Sequence, residues 1–424
     1  MEMKAPRGTH DIMPGESGVW QAVEAVIRDR CARFGYEELR TPIFEQTAVF
    51  ARGVGDTTDI VQKEMYTFED KGGRSMTLRP ENTAGAVRAF LEHGLSSGPM
   101  PVKLFYQSAP MFRYENPQSG RYRQFHQFGV EVFGAPEASC DAEVITLAWG
   151  LLKELGVEKL ALHINSIGCP TCRNAYQQKL RAYFGEHLDE LCPTCHERLE
   201  RNPMRILDCK VPECKRVAEH APKMLEHLCD DCCAHFESLQ SYLDAAGIAF
   251  TIDPMIVRGL DYYTSTVFEI ISEDIGAQGT VCGGGRYDGL MRLMGGPELA
   301  GVGFAFGMER LLMVMESLGK LPEVDHTADV YVAAFPDDEA RRAAFALTLA
   351  MRSAGLRAEM DHAGRGMKAQ IKYAGKTGAK TMIAIGGDEV ASGVVRVRDM
   401  QSGEETETKM DEAAKCVLAV IKGE

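Results

Sequence analysis

What most limits the fold of this chain is a succession of short extended segments lacking the helical spacing that a parallel sheet would need. Glu38-Leu39-Arg40-Thr41, stopped by Pro42, is followed by Thr77-Leu78-Arg79, Leu104-Phe105-Tyr106 and a longer run from Phe125 to Phe133. In that run Phe128, Val130 and Val132 alternate with Gln127, Gly129 and Glu131, the two-residue period of a strand with two unlike faces. Ile256-Val257 and Val267-Phe268-Glu269-Ile270 add further strands. Parallel neighbours need a long crossover between them, so strands this close in sequence favour an antiparallel sheet. A helix is expected over 18–34, with Val23, Ile27 and Phe34 on one face and Gly35 able to close its end. Another is expected from near Gly307, carrying Arg310, Leu311 and Met313.

Two stretches change character. Residues 169–247 are rich in Cys, Glu, Lys and Leu, and Phe236, Leu239 and Leu243 have helical spacing. This predicts a helical module inserted into the sheet domain. After Pro322-Glu323-Val324-Asp325-His326 the order becomes strand (330–335), helix (337–354), strand (357–360), helix (366–376), strand (381–386). Such alternation predicts a small α/β domain with a mostly parallel sheet. The expected organisation is therefore α+β, with a sheet domain over 1–168 and 248–325, an insertion over 169–247 and an α/β domain over 326–424.

Composition narrows the function classes. With 45% hydrophobic and 25% charged residues, disordered and low-complexity classes are excluded. No run approaches the roughly 20 apolar residues of a membrane helix, and Met1-Glu2-Met3-Lys4-Ala5-Pro6 has no apolar core, so neither a membrane partner nor a signal peptide is expected. Thirteen cysteines, an odd number, with nine between Cys169 and Cys233, fit a reducing cytoplasm better than a secreted disulfide framework. The formal charge of −14 repels nucleic acid on average, so an RNA site must be a local basic island. One exists: Arg352, Arg357, Arg365, Lys368, Lys372, Lys376 and Lys380 face only Glu359 and Asp361 in the same stretch. Lys368, Lys372 and Lys376 recur every four residues, giving a helix one basic face, either for RNA or for solvent.

Three arginines stand beside glycines or at element ends: Arg113 in Met111-Phe112-Arg113-Tyr114-Glu115, Arg258 in Val257-Arg258-Gly259-Leu260-Asp261, and Arg310 in Gly307-Met308-Glu309-Arg310. Fork-shaped, permanently charged guanidinium groups suit a polyanion such as triphosphate; salt bridges are the ordinary alternative for each alone. Gly283-Gly284-Gly285 either admits a ligand close to the backbone or forms a tight turn. It is neither a phosphate-binding Walker loop nor a dinucleotide fingerprint.

Together these segments resemble the histidyl-tRNA synthetase family of class II aminoacyl-tRNA synthetases. Arg7-Gly8-Thr9-His10-Asp11 resembles the family's N-terminal signature, and the segment ending in Thr41-Pro42 resembles motif 1, the dimer-interface element. Phe112-Arg113-Tyr114-Glu115 through Arg121-Tyr122-Arg123-Gln124-Phe125 resembles motif 2, and Gly301 to Arg310 resembles motif 3. Arg258-Gly259-Leu260-Asp261-Tyr262-Tyr263 and Gly283-Gly284-Gly285-Arg286-Tyr287-Asp288-Gly289 are similar to the two histidine-specific motifs. The resemblance implies a class II antiparallel-sheet catalytic domain, a C-terminal anticodon-binding domain and a cytoplasmic homodimer that ligates histidine to tRNA(His) through histidyl-adenylate. The alternative is a non-catalytic synthetase-like regulatory subunit of histidine biosynthesis.

The resemblance also implies roles. Arg113 and Arg258 are the catalytic arginines at the α-phosphate. Glu81, Thr83 and Gln127 take the amino group of histidine, Glu131 and Tyr263 bracket its imidazole, and Arg258 and Tyr262 complete that pocket. Arg113, Glu115, Arg121, Phe125 and Arg310 bind ATP, with Mg2+ on its β- and γ-phosphates. The loop Glu115-Asn116-Pro117-Gln118-Ser119-Gly120-Arg121 meets the tRNA acceptor stem through Gln118; in the C-terminal unit, which resembles the anticodon-binding domain, the basic face of Lys368, Lys372 and Lys376 is expected to contact the tRNA.

The cysteines go beyond the resemblance. Cys169-Pro170-Thr171-Cys172 and Cys192-Pro193-Thr194-Cys195 match a four-thiolate zinc spacing, and Cys209, Cys214, Cys229 and Cys232 could form a second site. Structural Zn2+ is the favoured reading, with the pairing open; small buried hydrophobes are the other.

Overall fold

The computed structural model describes residues 3–423 except 56, 57, 59, 119, 273 and 275–278. Met1, Glu2 and Ser119, which figure in the sequence reading, lie outside the described residues. The chain forms two compact units, Met1–Glu323 and Val324–Glu424.

The first unit is built on an eight-stranded sheet, ordered Glu37–Glu38, Val102–Phe112, Gln124–Phe133, Gly301–Gly307, Thr280–Arg286, Thr264–Ser272, Leu160–Ser166, Phe250–Ile252. The inner pairs are antiparallel and the two outermost pairs parallel. Phe128, Val130 and Val132 point into a core with Phe304, Phe306 and residues of the helices Glu16–Arg33, Ala138–Glu154 and Met308–Ser317. Gln127 and Glu131, on the other side of the same strand, face a cavity. The two-residue period thus separates core from site.

Several expectations change. Ser75–Leu78 belongs to a separate three-stranded sheet with Phe44–Gln46 and Tyr66–Glu69, and helices Thr47–Val54 and Thr83–Glu92 interrupt the extended segments. The strand expected at Glu38–Thr41 pairs only over Glu37–Glu38, because Arg79 takes Thr41: its Nη1 donates to the Thr41 carbonyl at 3.0 Å and hydroxyl at 2.9 Å. Ile256-Val257 is no strand. The Asn165 side chain donates to the Ile256 carbonyl at 3.1 Å and the Ile256 amide turns back to Asp253, so neither group is left for a ladder. Gly283-Gly284-Gly285 is neither a turn nor a ligand loop but the middle of strand Thr280–Arg286.

The insertion is helical as expected, through Pro170–Gly185, Pro193–Arg201, Pro212–Glu219 and Asp230–Ala245. It is not a separate unit. Phe236, Leu239 and Leu243 of its last helix are buried in the same core as Leu147 and Leu151 of Ala138–Glu154. His235 of that helix also meets buried Asp141 at 2.7 Å, and Asp141 pairs with fully buried Arg286.

In the second unit, strands Val330–Ala334, Ala358–Met360 and Thr381–Ile385 and helices Asp338–Ser353 and Met367–Thr377 follow the expected alternation. Asp337 caps the first helix by accepting from the Ala340 amide at 2.8 Å. The sheet is more mixed than expected: Thr381–Ile385 pairs antiparallel with Val394–Asp399, which forms a hairpin with Glu405–Lys409. Gly403, at φ 77°, sits in the connecting turn, where the left-handed backbone favours glycine.

Candidate active site

The exposed face of the large sheet holds a cavity of about 470 Å³ lined by all twelve residues expected to bind histidine or ATP. At its deep end Glu131 is almost wholly buried. Its Oε1 accepts from Thr83 Oγ1 at 2.7 Å and from the Tyr106 hydroxyl at 3.4 Å, and its Oε2 accepts from Tyr287. Burial pushes the Glu131 carboxyl up to about 8, with the charge of Glu81 adding to it and the hydroxyl donors opposing. Glu81 accepts from the amides of Thr83 at 2.7 Å and Ala84 at 2.9 Å, at the start of helix Thr83–Glu92. Burial still raises its carboxyl above the ordinary range. Gln127 Oε1 is buried with no partner, an acceptor waiting for a donor. Tyr262 and Tyr263 stack obliquely with centroids 4.8 Å apart, and Tyr263 lies 5.8 Å from the Arg258 guanidinium.

Arginines form the rest of the wall. Arg258 pairs with Glu269, and its Nε is buried without a partner. Its guanidinium lies flat on Gly283, where a Cβ would fall 2.5 Å from it. The glycine run therefore makes room for an arginine of the protein. Arg113 donates to the Pro80 carbonyl at 2.9 Å and lies 5.5 Å from the Phe125 ring. Arg310 donates to the Thr280 carbonyl at 3.0 Å, and exposed Arg121 lies 3.9 Å from Glu115. The cavity thus gathers guanidinium groups and buried carboxyls, which together match a polyanion joined to a small zwitterion.

Sequence reasoning missed four contributors. Tyr106 and Tyr287 both touch Glu131. Arg205 reaches the cavity from the insertion, and Glu309 accepts from the His126 amide at 3.0 Å while lining the wall. Tyr106 is marked only by strand pairing. Gly129 stands opposite it in register, and a Cβ there would fall 2.4 Å from the Tyr106 hydroxyl.

The histidyl-tRNA synthetase family model matches residues 8–311. The chain belongs to that family. The anticodon binding domain model matches residues 329–419. A histidine–tRNA ligase from Caldanaerobacter subterraneus subsp. tengcongensis is 54% identical, covering 98% of this chain and all of that protein. One from Acetivibrio thermocellus is also 54% identical, over 97% and 98%. The crystal structure of apo histidyl-tRNA synthetase from S. aureus shares 38% identity and a TM-score of 0.84, covering 98% of this chain and all of that one. The architecture above is thus the class II synthetase fold with its C-terminal domain.

Outside the cavity of this histidyl-tRNA synthetase relative lie the remaining expected residues. Gln118 is exposed in a tight turn whose backbone bonds back to Arg121. Lys368, Lys372 and Lys376 are exposed on helix Met367–Thr377. Arg357 and Lys380 pair with Asp325 and Asp329, and Arg365 with Asp361, so the basic island is smaller than its count suggests.

The eight cysteines form two quartets, each with all its sulfur atoms within 4.8 Å of one another: Cys169, Cys172, Cys229 and Cys232; and Cys192, Cys195, Cys209 and Cys214. The spacing template joins Cys169-Cys172 to Cys192-Cys195, and the structure does not. The insertion leaves and rejoins the sheet at one place, which brings its first and last pairs together. Cys169, Cys192 and Cys229 each occupy the N-cap of a helix. Backbone amides of Cys229, Cys192 and Cys169 point at Sγ of Cys172, Cys214 and Cys232, at 3.0, 3.1 and 3.3 Å. Burial works against the thiolates of Cys169 and Cys192, but backbone amides and neighbouring thiols outweigh it and hold both at about 7. Such donors suit thiolate ligands of a metal.

Proposed function

We infer that this chain ligates L-histidine to tRNA(His) at the expense of ATP, forming histidyl-adenylate in the cavity above the sheet. The curated relatives that match it over nearly their whole length are ligases, so a non-catalytic regulatory subunit is not favoured. The observation that carries the site reading is the pair of buried, unpartnered atoms, Gln127 Oε1 and Arg258 Nε, beside Glu131 in one cavity. Unpaired buried polar atoms are costly unless a ligand completes them.

In this reading Glu81, Thr83 and Gln127 hold the ammonium group, and Glu131 and Tyr263 the two ring nitrogens, with Tyr262 behind. A site that bonds both nitrogens discriminates strongly against amino acids lacking them. The histidine carboxylate is already ionised at neutral pH, so its attack on the α-phosphorus needs no base. Arg113 and Arg258 orient it and stabilise charge on the phosphoryl oxygens as pyrophosphate leaves. Phe125 and Arg310 sandwich the adenine, and Glu115 and Arg121 serve the outer phosphates. Magnesium enters with ATP as part of that substrate.

The adenylate then passes its histidyl group to the terminal ribose of tRNA, whose acceptor stem meets Gln118 and whose anticodon end meets Lys368, Lys372 and Lys376. The protein works as a cytoplasmic homodimer, and the exposed Ile43, Phe44 and Phe68 beside Thr41-Pro42 offer apolar surface for that contact. No helix among the described residues is long and apolar enough to cross a membrane. The two thiol quartets hold structural Zn2+, four sulfurs each, as a closed site requires. Pyrophosphate exchange measured across the amino acids tests the reading: exchange should require histidine, and exchange with any other amino acid at a comparable rate would reject it.

A further inference from the structure

The segment that carries Arg258 has little of its own to hold it. Residues 253–263 belong to no strand or helix, although the first-half chemistry demands a fixed guanidinium. Asn165 holds the Pro254 and Ile256 carbonyls, Glu269 pairs with Arg258 itself, and the backbone after Arg258 is gripped mainly from the insertion, where Arg173 donates to the Tyr263 carbonyl at 2.6 Å. Arg205 Nη2 donates to the Gly259 carbonyl at 2.5 Å, and the same side chain lies 3.6 Å from Asp261. Asn202 Nδ2 donates to Asp261 at 3.1 Å. Gly259 follows Arg258 directly, and Asp261 lies two residues before Tyr263.

Asn202 and Arg205 sit between two halves of one cysteine quartet. Cys192 and Cys195 open the helix Pro193–Arg201 that ends just before Asn202, and Cys209 and Cys214 follow Arg205. The intervening segment is a short 3-10 turn, Pro203–Ile206, whose backbone bonds are all local: the Arg205 amide to the Asn202 carbonyl at 3.1 Å, Leu207 to Met204 at 3.2 Å and Cys209 to Ile206 at 3.0 Å, with Arg198 donating to the Arg205 carbonyl at 3.3 Å. Joining four sulfurs through one ion would fix both ends of that turn. Arg205 lines the same cavity as Glu131 and Arg310, so the fixed turn ends at the reacting site.

We propose that a zinc ion on Cys192, Cys195, Cys209 and Cys214 is a positioning centre for adenylation, which sets Arg258 through Asn202 and Arg205. This rests on the zinc reading above and adds to it a coupling to catalysis. Arg205 and Asn202 are positioning residues that act on the backbone beside Arg258.

The test uses the full-length protein, its zinc content measured by elemental analysis and its rate by histidine-dependent pyrophosphate exchange. The purified parent should carry two zinc ions per chain, and Cys209→Ser should carry one. Arg205→Ala should keep both ions, yet lower kcat by about tenfold to a hundredfold, the scale of misplacing a reacting group by about 1 Å. KM for ATP and histidine should move about threefold or less. Cys209→Ser should show at least that loss, and adding Arg205→Ala to it should cost little more, because both act through the same turn. Arg205→Lys should restore part of the rate. A Cys209→Ser protein that has lost its ion but exchanges at the parental rate would overturn the coupling and leave the zinc reading standing. A parent without zinc would overturn both. Should Cys209→Ser fail to fold, Arg205→Ala decides alone, and a parental kcat there rejects the proposal.

Discussion

The cavity of the first unit and the basic helix of the second handle charge in opposite ways. In the cavity, Glu131 and Glu81 are buried and held by hydroxyls and amides, Arg258 is half-buried and paired with Glu269, and adjoining strands carry glycine where side chains need room. On helix Met367–Thr377 three lysines stand in water, and no carboxylate among the described residues pairs with them. A buried, preorganised group acts in low dielectric and needs no reorganisation at the moment of reaction. An exposed charge acts through the ion atmosphere and is screened by salt. Single substitutions should therefore be large in the cavity and small on the helix.

The largest effect is expected at Arg258. Arg258→Ala should lower the adenylation rate by about 10²–10³, the scale for one missing preorganised donor, with smaller changes in KM. Gly283→Ala sharpens the point, because its new methyl would lie 2.5 Å from the guanidinium. It should reproduce much of the Arg258→Ala loss while leaving Arg258 in place. Single-turnover adenylation measures both; a near-parental Gly283→Ala would show that Arg258 reaches its working position from elsewhere.

Glu131→Gln comes next. It should raise KM for histidine far more than KM for ATP, because in the proposed function Glu131 meets only the ring; equal damage to both would reject that role. Its stability effect has a defined sign. Burial raises the folded carboxyl to about 8, above its ordinary value of about 4.3. Between those values the folded state holds more protons than the unfolded state, so stability falls as pH rises through this window. The Gln variant lacks that titration. Without substrate its Tm relative to the parent should rise from pH 5.5 to 8.5, and a difference that is flat across the range would mean that Glu131 does not titrate there.

Much of the cavity was legible before the structure. Gln127 and Glu131 four residues apart on an alternating strand had to share a face, and the arginine-bearing segments converge where the resemblance placed them. What stayed hidden depends on contacts across the fold. The glycine run reads as a turn until Arg258, some twenty-five residues upstream in the chain, is found lying on it. Tyr106 is an ordinary strand residue until Gly129 is paired opposite. The cysteine template matched the first two pairs along the chain, although a module inserted into a sheet must bring its ends together and so joins the first pair to the last.

The three lysines should give a smaller, graded effect. Neutralising Lys368, Lys372 and Lys376 together should reduce the slope of log K for tRNA against log salt by about 2, at roughly 0.7 for each phosphate of single-stranded RNA that is no longer neutralised. Adenylation should be unchanged, since its groups lie in the other unit. An unchanged slope would mean that this face looks only to solvent.

The smallest effect separates available charge from counted charge. Arg357 belongs to the same island by sequence, but it lies 3.1 Å from Asp325 and 3.2 Å from Asp329, and the Lys380 ammonium shares both carboxylates. Those carboxylates lie outside the stretch that made the island look so basic, which is why a count along the chain overestimates it. A cation already paired has no counterion left to release when a phosphate arrives, so Arg357→Ala should leave the tRNA salt slope within the error of the parental value. Its pairs are largely exposed and screened by solvent, so any change should appear as a small drop in Tm. A slope that falls by as much as a third of the triple-lysine effect would show that Arg357 abandons its carboxylates for RNA, and the boundary drawn between paired and available cations would move.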